Sequence, residues 1–529
     1  MTDLLAPKLE RVLHLAADLA GAWGARARIS TTLARERAIL RLFGVSGLDR
    51  ADVPLASAVV ERALGDDPGR LAGGVALPFA IALLEYDLTP QQLALDVTSG
   101  AIDLAFEAQL LHDPERRSAA EAEARRLATI GLQRIDANRM ARLETLGMLG
   151  DAPSPWIGSA LAAPNLDAAP DEAARLVAAG ADLLRVRVPA IRELVLRLHD
   201  RGVEGVDWRP ARHESGRVGE DPAEVPSGSQ RALSALRVRV DQAAAESRRY
   251  VRLSSAASAL AAPEQALVAA LERIDVVEAD PIAEIVADGV DPDRALADHA
   301  FADRLLRRAG VHVMVGPGPL IVAPDLARGV PPDAGTRAGR SFAMQALSIA
   351  LARGDGIPAP QLIAGALAPW LVEERDPATQ TLATVALQRA AWPEISLAFE
   401  EPAPSGRSVA RWPVLLVLGL AIAGAPAVVV RNARAGELGP VVDATRATAA
   451  LAAELAASPM EALARPAVAA HAAALLAAAT ATLERLRDSG WSSVLGEPID
   501  GSARVGLGAD AVTERTEAFD TLAAASGES

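Results

Sequence analysis

Apolar positions recur at helical spacing through the first 150 residues; beyond them short β-branched runs alternate with helical stretches. Thr31–Thr32 ahead of LARERAILRLFG offers an N-cap, apolar residues three and four apart, and a glycine stop. Thr89–Pro90 opens QQLALDVTSG by the same logic, with proline at the first helical position and Gly100 at the end. From Pro114 to Arg142 charges dominate while Ala and Leu keep helical intervals, which predicts a long, partly solvated helix.

From about Asp151 the period changes. Leu183–Val188 (LLRVRV), Tyr250–Leu253 (YVRL), Ile274–Glu278 (IDVVE) and Val311–Val315 (VHVMV) predict strands. Helical stretches at Ser229–Arg249, Pro263–Arg273 and Asp291–Arg308 separate them. Strand and helix in alternation mean βα units and a parallel sheet, and a doubly wound sheet and a closed barrel satisfy the pattern equally. Gly202–Gly228 reads as a long Gly/Pro/Glu/Arg-rich loop. Val441–Arg485 is Ala-rich helix, followed by a Gly/Asp/Ser tail from Gly490. The expected division is therefore 1–150 helical, 151–440 α/β, and 441–529 helical with a tail.

One segment raises the question of a membrane. Pro413–Val430 carries no charge and is bracketed by Arg411 and Arg431, just reaching the length of a spanning helix. Gly424 and Pro426 interrupt it, so the expectation is a buried helix followed by a strand. Met1–Glu10 lacks the pattern of a signal peptide, and a cytoplasmic location is expected.

Composition narrows the chemistry. In 529 residues half are hydrophobic but only 3% aromatic, so the core packs through small aliphatic contacts. Cysteine is absent, which excludes disulfides, thiolate metal sites and a cysteine nucleophile. A net charge of −15 argues against nonspecific nucleic-acid binding. Lys8 is the only lysine. Arginine forms no Schiff base, so a lysine needed to anchor pyridoxal phosphate must come from another chain.

Candidate sites are sparse. Gly316–Pro319 (GPGP) ends a predicted strand, where α/β folds place ligand chemistry; without a lysine, and with two prolines removing donors, it reads as a rigid turn. His199–Gly202 and His213–Gly216 have His-x-x-Gly spacing, but Arg197 and Ala211 stand where a cobalamin-binding motif needs Asp, so both read as surface histidines. His312 alternates with apolar residues and reads as a core histidine. The histidines show no metal-ligand spacing, and no metal site is expected. Arg185 and Arg187 share one strand face and, with Arg192, offer cations to an anionic ligand or to helix carboxylates.

Read end to end, the chain resembles the α subunit of D-lysine 5,6-aminomutases, isomerases that use adenosylcobalamin and pyridoxal phosphate. TTLARERAILRLFGVSG (Thr31–Gly47) is similar to the family's TTV-x-x-ERA-x-x-RL-x-G-x-x-G. Asp52-Val-Pro, Thr89-Pro-Gln, Ser99-Gly100, Asp103-Leu104 and RIDANR (Arg134–Arg139) follow in order. Gly180-Ala-Asp, YVRLSSAASALAAPE (Tyr250–Glu264) and LERIDVV (Leu271–Val277) continue the likeness, which extends weakly through Trp392-Pro393 to Leu483–Arg485.

The resemblance implies a (β/α)8 TIM barrel with wrapping terminal segments, pyridoxal phosphate in the barrel mouth, and a β subunit carrying cobalamin and the Schiff-base lysine. It places Ser258 at the cofactor phosphate; Arg187 and Arg192, read from the strand itself, are the further candidate anion contacts. Departures from the family fall on the expected chemistry. Its Arg and Thr-Gly-Gln-Ser align with Val188 and Ala190–Glu193, and its cofactor-stacking Tyr aligns with Ala283. Its acidic turn aligns with Val315–Leu320, its Gly-His-Ala-Phe-Glu with Gly365–Pro369, and its Pro-Pro-Thr-Lys with Glu401–Pro404. Three functions are then compatible: an aminomutase α subunit, a non-catalytic paralogue serving a cobalamin-dependent complex as scaffold or regulator, or an enzyme reusing the mouth for another ligand.

Overall fold

The computed structural model describes the chain except residues 1, 48–53, 66, 162–168, 187–223, 257–259, 289, 317–333, 367–375, 402–405, 425, 432–434, 493–511, 517–518 and 527–529. Ten strands are described: β1 Ser30–Thr32, β2 Trp156–Ala160, β3 Leu183–Arg185, β4 Arg252–Ala256, β5 Val276–Glu278, β6 His312–Val315, β7 Leu362–Gly365, β8 Ser396–Glu400, β9 Ala427–Arg431 and β10 Val512–Glu514. Strands β2 to β9 pair in sequence order, all parallel, and β2 closes the ring on β9 through Trp156↔Val428 to Ser159↔Arg431. This closed ring decides between the two sheet architectures the periodicity left open. The fold is a (β/α)8 barrel.

Local signals place several elements as expected. Thr32 caps helix Leu33–Leu42, its hydroxyl accepting from Arg35 N at 3.0 Å. Thr89 caps Pro90–Ser99, which ends at left-handed Gly100. The charged run forms one helix, Pro114–Leu149. Pro413–Val430 resolves into the end of helix Gly406–Ala423 and strand β9. Among the described residues, one helix, Pro466–Ser489, is long and apolar enough to cross a membrane; it packs against Thr2–Ile29 and Ala334–Gly354.

The motif Thr31–Gly47 docks the helical N-terminal region on the barrel. The Glu36 carboxylate accepts from Thr31 Oγ1 at 2.5 Å and from Val75 N at 2.8 Å. Thr32 donates to Asp298, and Arg37 donates to Glu264 at 2.9 Å, both partners lying on barrel helices. The chain's end returns to the same place: β10 pairs antiparallel with β1, and Asp520 accepts from Arg35 at 3.3 Å and Arg304 at 2.9 Å. RIDANR fastens the long helix under the barrel. Asn138 donates to Leu271 O at 2.7 Å, and Asp136 pairs with Arg308 at 2.7 Å.

Candidate functional site at the barrel mouth

Side chains alternate between the two faces of a strand, so the barrel lumen is lined by every second residue. Leu183, Val276, Ile363, Ala398, Val428 and Val430 form one buried cluster in the lumen, with Trp156 and Met314 packed against it. Two residues further along β3, β5 and β8, on the same inward face and at the C-terminal end, stand Arg185, Glu278 and Glu400. Arg185 donates to Glu400 Oε1 at 2.6 Å and also to Glu278 Oε2. Burial works against the Arg185 charge, but Glu278 and then Glu400 more than offset it, holding the guanidinium above its ordinary value. Exposure of the three side chains rises from 17% for Arg185 through 25% for Glu278 to 44% for Glu400, so the cluster faces solvent on one side.

Around this cluster the strand ends are small. Ala256, Ala279, Gly316, Gly365 and Ala366 follow one another round the ring. Gly316, at φ +128°, lies so close to β7 that a Cβ there would meet Gln345 Nε2 at 2.7 Å and Gly365 N at 2.9 Å. Gln345 and Gln388 both donate to the Gly365 carbonyl, at 2.7 and 3.0 Å. Asp280, just past β5, accepts from Gly316 N at 2.9 Å and Ser348 Oγ at 2.7 Å, joining the ends of β5 and β6 to the helix behind them.

Beyond Asp280 the chain makes a short helix, Pro281–Ala283, and a π-turn, Glu284–Asp288. Glu284 bonds buried His299 at 2.8 Å. Burial opposes charge on His299, yet Glu284 outweighs it and raises the imidazole to about 9. One helical turn on, burial and then the charge of Asp355 push the Asp303 carboxyl up to about 8.

Residues singled out from sequence divide sharply. Ser258, Arg187, Arg192, His199, His213 and Pro317–Pro319 lie outside the described residues. Arg185 is described: it points into the lumen, and its partners are strand carboxylates instead of the helix carboxylates considered as the alternative. His312 lies at the opposite, N-terminal end of the lumen, edge-on to Trp156 at 5.6 Å; burial and then Arg252 push it down to about 4. It is a neutral core histidine, as its alternation suggested. Ala283, Val315, Ala366 and Glu401, positions where the sequence departs from the aminomutase pattern, all sit at or just beyond the C-terminal ends of β5 to β8. Glu278 and Glu400 were missed. Each is the last residue of its strand and shares parity with the lumen residues, a signal readable only once both strands are assigned. Among the described residues, no group of three or more His, Asp or Glu side chains is placed to hold a metal ion.

The model of the D-lysine 5,6-aminomutase TIM-barrel domain of alpha subunit matches residues 3–404. The lysine 5,6-aminomutase alpha subunit of Fusobacterium nucleatum is 28% identical over 294 residues, 54% of this chain and 51% of that protein. The corresponding subunit of Acetoanaerobium sticklandii is 27% identical over 287 residues, with the same coverage of 54% and 51%. The chain thus spans about half the length of the curated relatives it matches. Among solved structures, a dihydropteroate synthase from Anaplasma phagocytophilum gives a TM-score of 0.35 at 13% identity, covering 57% of this chain and 100% of that one, too slight a likeness to carry an argument. A match over residues 3–404, on a closed barrel docked to its helices by the Thr31–Gly47 motif, places the conclusion beyond the mouth alone: the chain belongs to the family of D-lysine 5,6-aminomutase alpha-subunit barrels.

Proposed function

We propose that this chain is the barrel subunit of a cytoplasmic aminomutase-type complex acting on a basic amino acid in amino-acid degradation, with a cobalamin-carrying β subunit as its partner. The observation that carries this reading is the Arg185–Glu278–Glu400 cluster on the inward face of the mouth. Arg185 is held by both carboxylates, and Glu400, the outer of the two, presents a charge suited to a substrate ammonium group. Glu400, the most exposed of the three, meets the ligand first, and Glu278 fixes Arg185 behind it.

The family's chemistry draws on pyridoxal phosphate and adenosylcobalamin, which supply electron delocalisation and radical initiation when bound. The described residues of this mouth do not fit pyridoxal phosphate. Ala283 presents no aromatic plane, the strand ends round Gly316 and Gly365 are small, and Arg185 is already spanned by two carboxylates. Lys8, exposed on helix Thr2–Ile29, is remote in sequence from every barrel strand. What these residues do is bind and orient an amino acid by its ammonium end at Glu400 and keep the Arg185 charge fixed.

The test is co-expression with a cobalamin-domain partner, followed by calorimetry with lysine and NMR detection of amino-group migration in the isolated complex. Expected are co-purification, lysine binding, and at least tenfold weaker binding in Glu278→Gln, the loss of one charge-assisted hydrogen bond being worth about 1.5–3 kcal/mol. Absence of both co-purification and lysine binding would remove the proposal. Co-purification without lysine binding or turnover would leave a scaffold.

A further inference from the structure

We propose a second ligand site, for a small amphiphilic anion, in the N-terminal helical region. A cleft of about 310 Å³ opens between helices Leu55–Leu64, Ala76–Tyr86 and Leu104–Glu107, the turn Ala108–His112 and the first turn of Pro114–Leu149. None of its lining residues belongs to the barrel. Its floor is aliphatic: Leu64, Val75 and Leu104 are buried beneath it, with Pro78 and Leu111 beside them. Arg70, His112 and Arg117 complete the lining, and no carboxylate is among the lining residues.

That distribution is unusual for a chain of net charge −15. Asp67 lies 3.7 Å from Arg70, beyond hydrogen-bond distance, and Glu121 accepts from Arg117 Nε at 3.1 Å. His112 Nδ1 donates to the Gln109 carbonyl at 2.8 Å, which fixes the ring at the edge of the cleft and leaves the anion to the two arginines. The volume lies at the lower end of small-molecule sites, about 300–1,000 Å³. One or two fused rings, or a short aliphatic chain, would cover the floor while a carboxylate or phosphate monoester met the two arginines.

2-Naphthoate is the probe and 2-naphthalenemethanol its neutral counterpart, titrated into the full chain by calorimetry. Naphthoate is expected to bind with a sub-millimolar Kd, at least tenfold tighter than the alcohol. Arg70→Gln combined with Arg117→Gln should weaken naphthoate at least tenfold and leave the alcohol unchanged, since only the charge-assisted contacts are lost. Ala108→Trp should abolish binding of both by filling the cleft. Circular dichroism and thermal melting check that each variant folds; the double glutamine variant decides the matter if the tryptophan variant does not. No binding at millimolar naphthoate, or equal affinity for wild type and the double variant, overturns the site. Lysine binding at the barrel mouth is unaffected by either result.

Discussion

The two ends of the barrel use polar groups in opposite ways. At the N-terminal end, Asp182 and Asp275 immediately precede β3 and β5, and each accepts a backbone N–H from the preceding strand, Ile157 at 3.0 Å and Leu253 at 2.9 Å. Each also meets arginines: Arg446 at 2.8 Å on Asp182, and Arg237 at 3.2 Å on Asp275, where Tyr250 adds a bond of 2.6 Å. Arg252 lies over Trp156, 3.6 Å from the ring centroid, and His312 packs on the edge of the same ring. Almost every group here closes the ring. At the C-terminal end Arg185 is shared between two partly exposed carboxylates, Arg431 at the end of β9 pairs with Glu401 at 3.1 Å, and β2, β4 and β7 end on Ala or Gly. The lesson is physical. Buried acids with several donors fix strand register, while solvent-facing charges over small side chains leave room for a ligand.

The sharpest test of this contrast is Asp182→Ala. The aspartate is fully buried, and its removal leaves the Ile157 N–H without its carboxylate and takes a partner from Arg446 and Arg249, though Arg249 keeps the Val177 and Ala181 carbonyls, so a loss of about 2–4 kcal/mol is expected in urea unfolding. A loss below about 1 kcal/mol would mean that the bottom network is not what closes the ring. Next in size is Gly316→Ala. Its positive φ and the 2.7 and 2.9 Å approaches to Gln345 and Gly365 predict a cost of about 1–3 kcal/mol. That result would show the top depending on backbone proximity where the bottom depends on charge.

How much of this was legible follows from local composition. β3, β5 and β6 announce themselves through Leu, Val and Ile, and their predicted runs overlap the observed strands. YVRL marks β4 two residues early, because Tyr250 and Val251 belong to the approach and the strand runs into Ser254, Ser255 and Ala256. β2, β7 and β8 were not picked out. Gly158, Ser159, Ala364, Gly365 and Ala398 dilute their β-propensity, and small residues there are a demand of packing the ring that no local window reveals. The Thr31–Gly47 motif was readable as a capped helix and as a family mark, but its docking partners Asp298 and Glu264 lie more than 200 residues away. The Arg185 cluster was half legible. Arginines on a strand face suggested an anion site, whereas the partnering glutamates required the barrel register.

Between the two ends runs a buried seam that sharpens the comparison through pH. His299 and Asp303 share helix Pro292–Ala309 and face Glu284 and Asp280 from the top side and Asp355, itself held by Arg28 at 3.1 Å, from the other. Asp303 is raised from 3.8 to about 8 and His299 from 6.5 to about 9. In both cases the folded state keeps a proton that the unfolded chain releases earlier. Stability therefore falls as pH rises, over about 4 to 8 for Asp303 and about 6.5 to 9 for His299. The unfolding free energy from urea titration should decline from pH 6.5 to 8, by roughly 3 kcal/mol for the two groups together. Asp303→Asn, which cannot ionise, should flatten that decline. An equally steep decline in the variant would place the titrating groups elsewhere.

The smallest expected effect discriminates best between a structural top and a functional one. Glu400 accepts from Arg185, yet its side chain is 44% exposed, so solvent screens the pair. Glu400→Gln keeps an acceptor for the guanidinium and removes only the charge. Its cost to folding should stay within about 0.5 kcal/mol, the range of exposed ion pairs. Lysine affinity of the assembled complex should nevertheless fall about tenfold, because an ammonium that leaves water needs a charged acceptor. Thermal melting of the variant and calorimetry with lysine separate the two quantities. A stability loss above about 2 kcal/mol with unchanged lysine affinity would put Glu400 in the same class as Asp182, a strand-closing acid. The two ends would then differ in exposure but not in purpose.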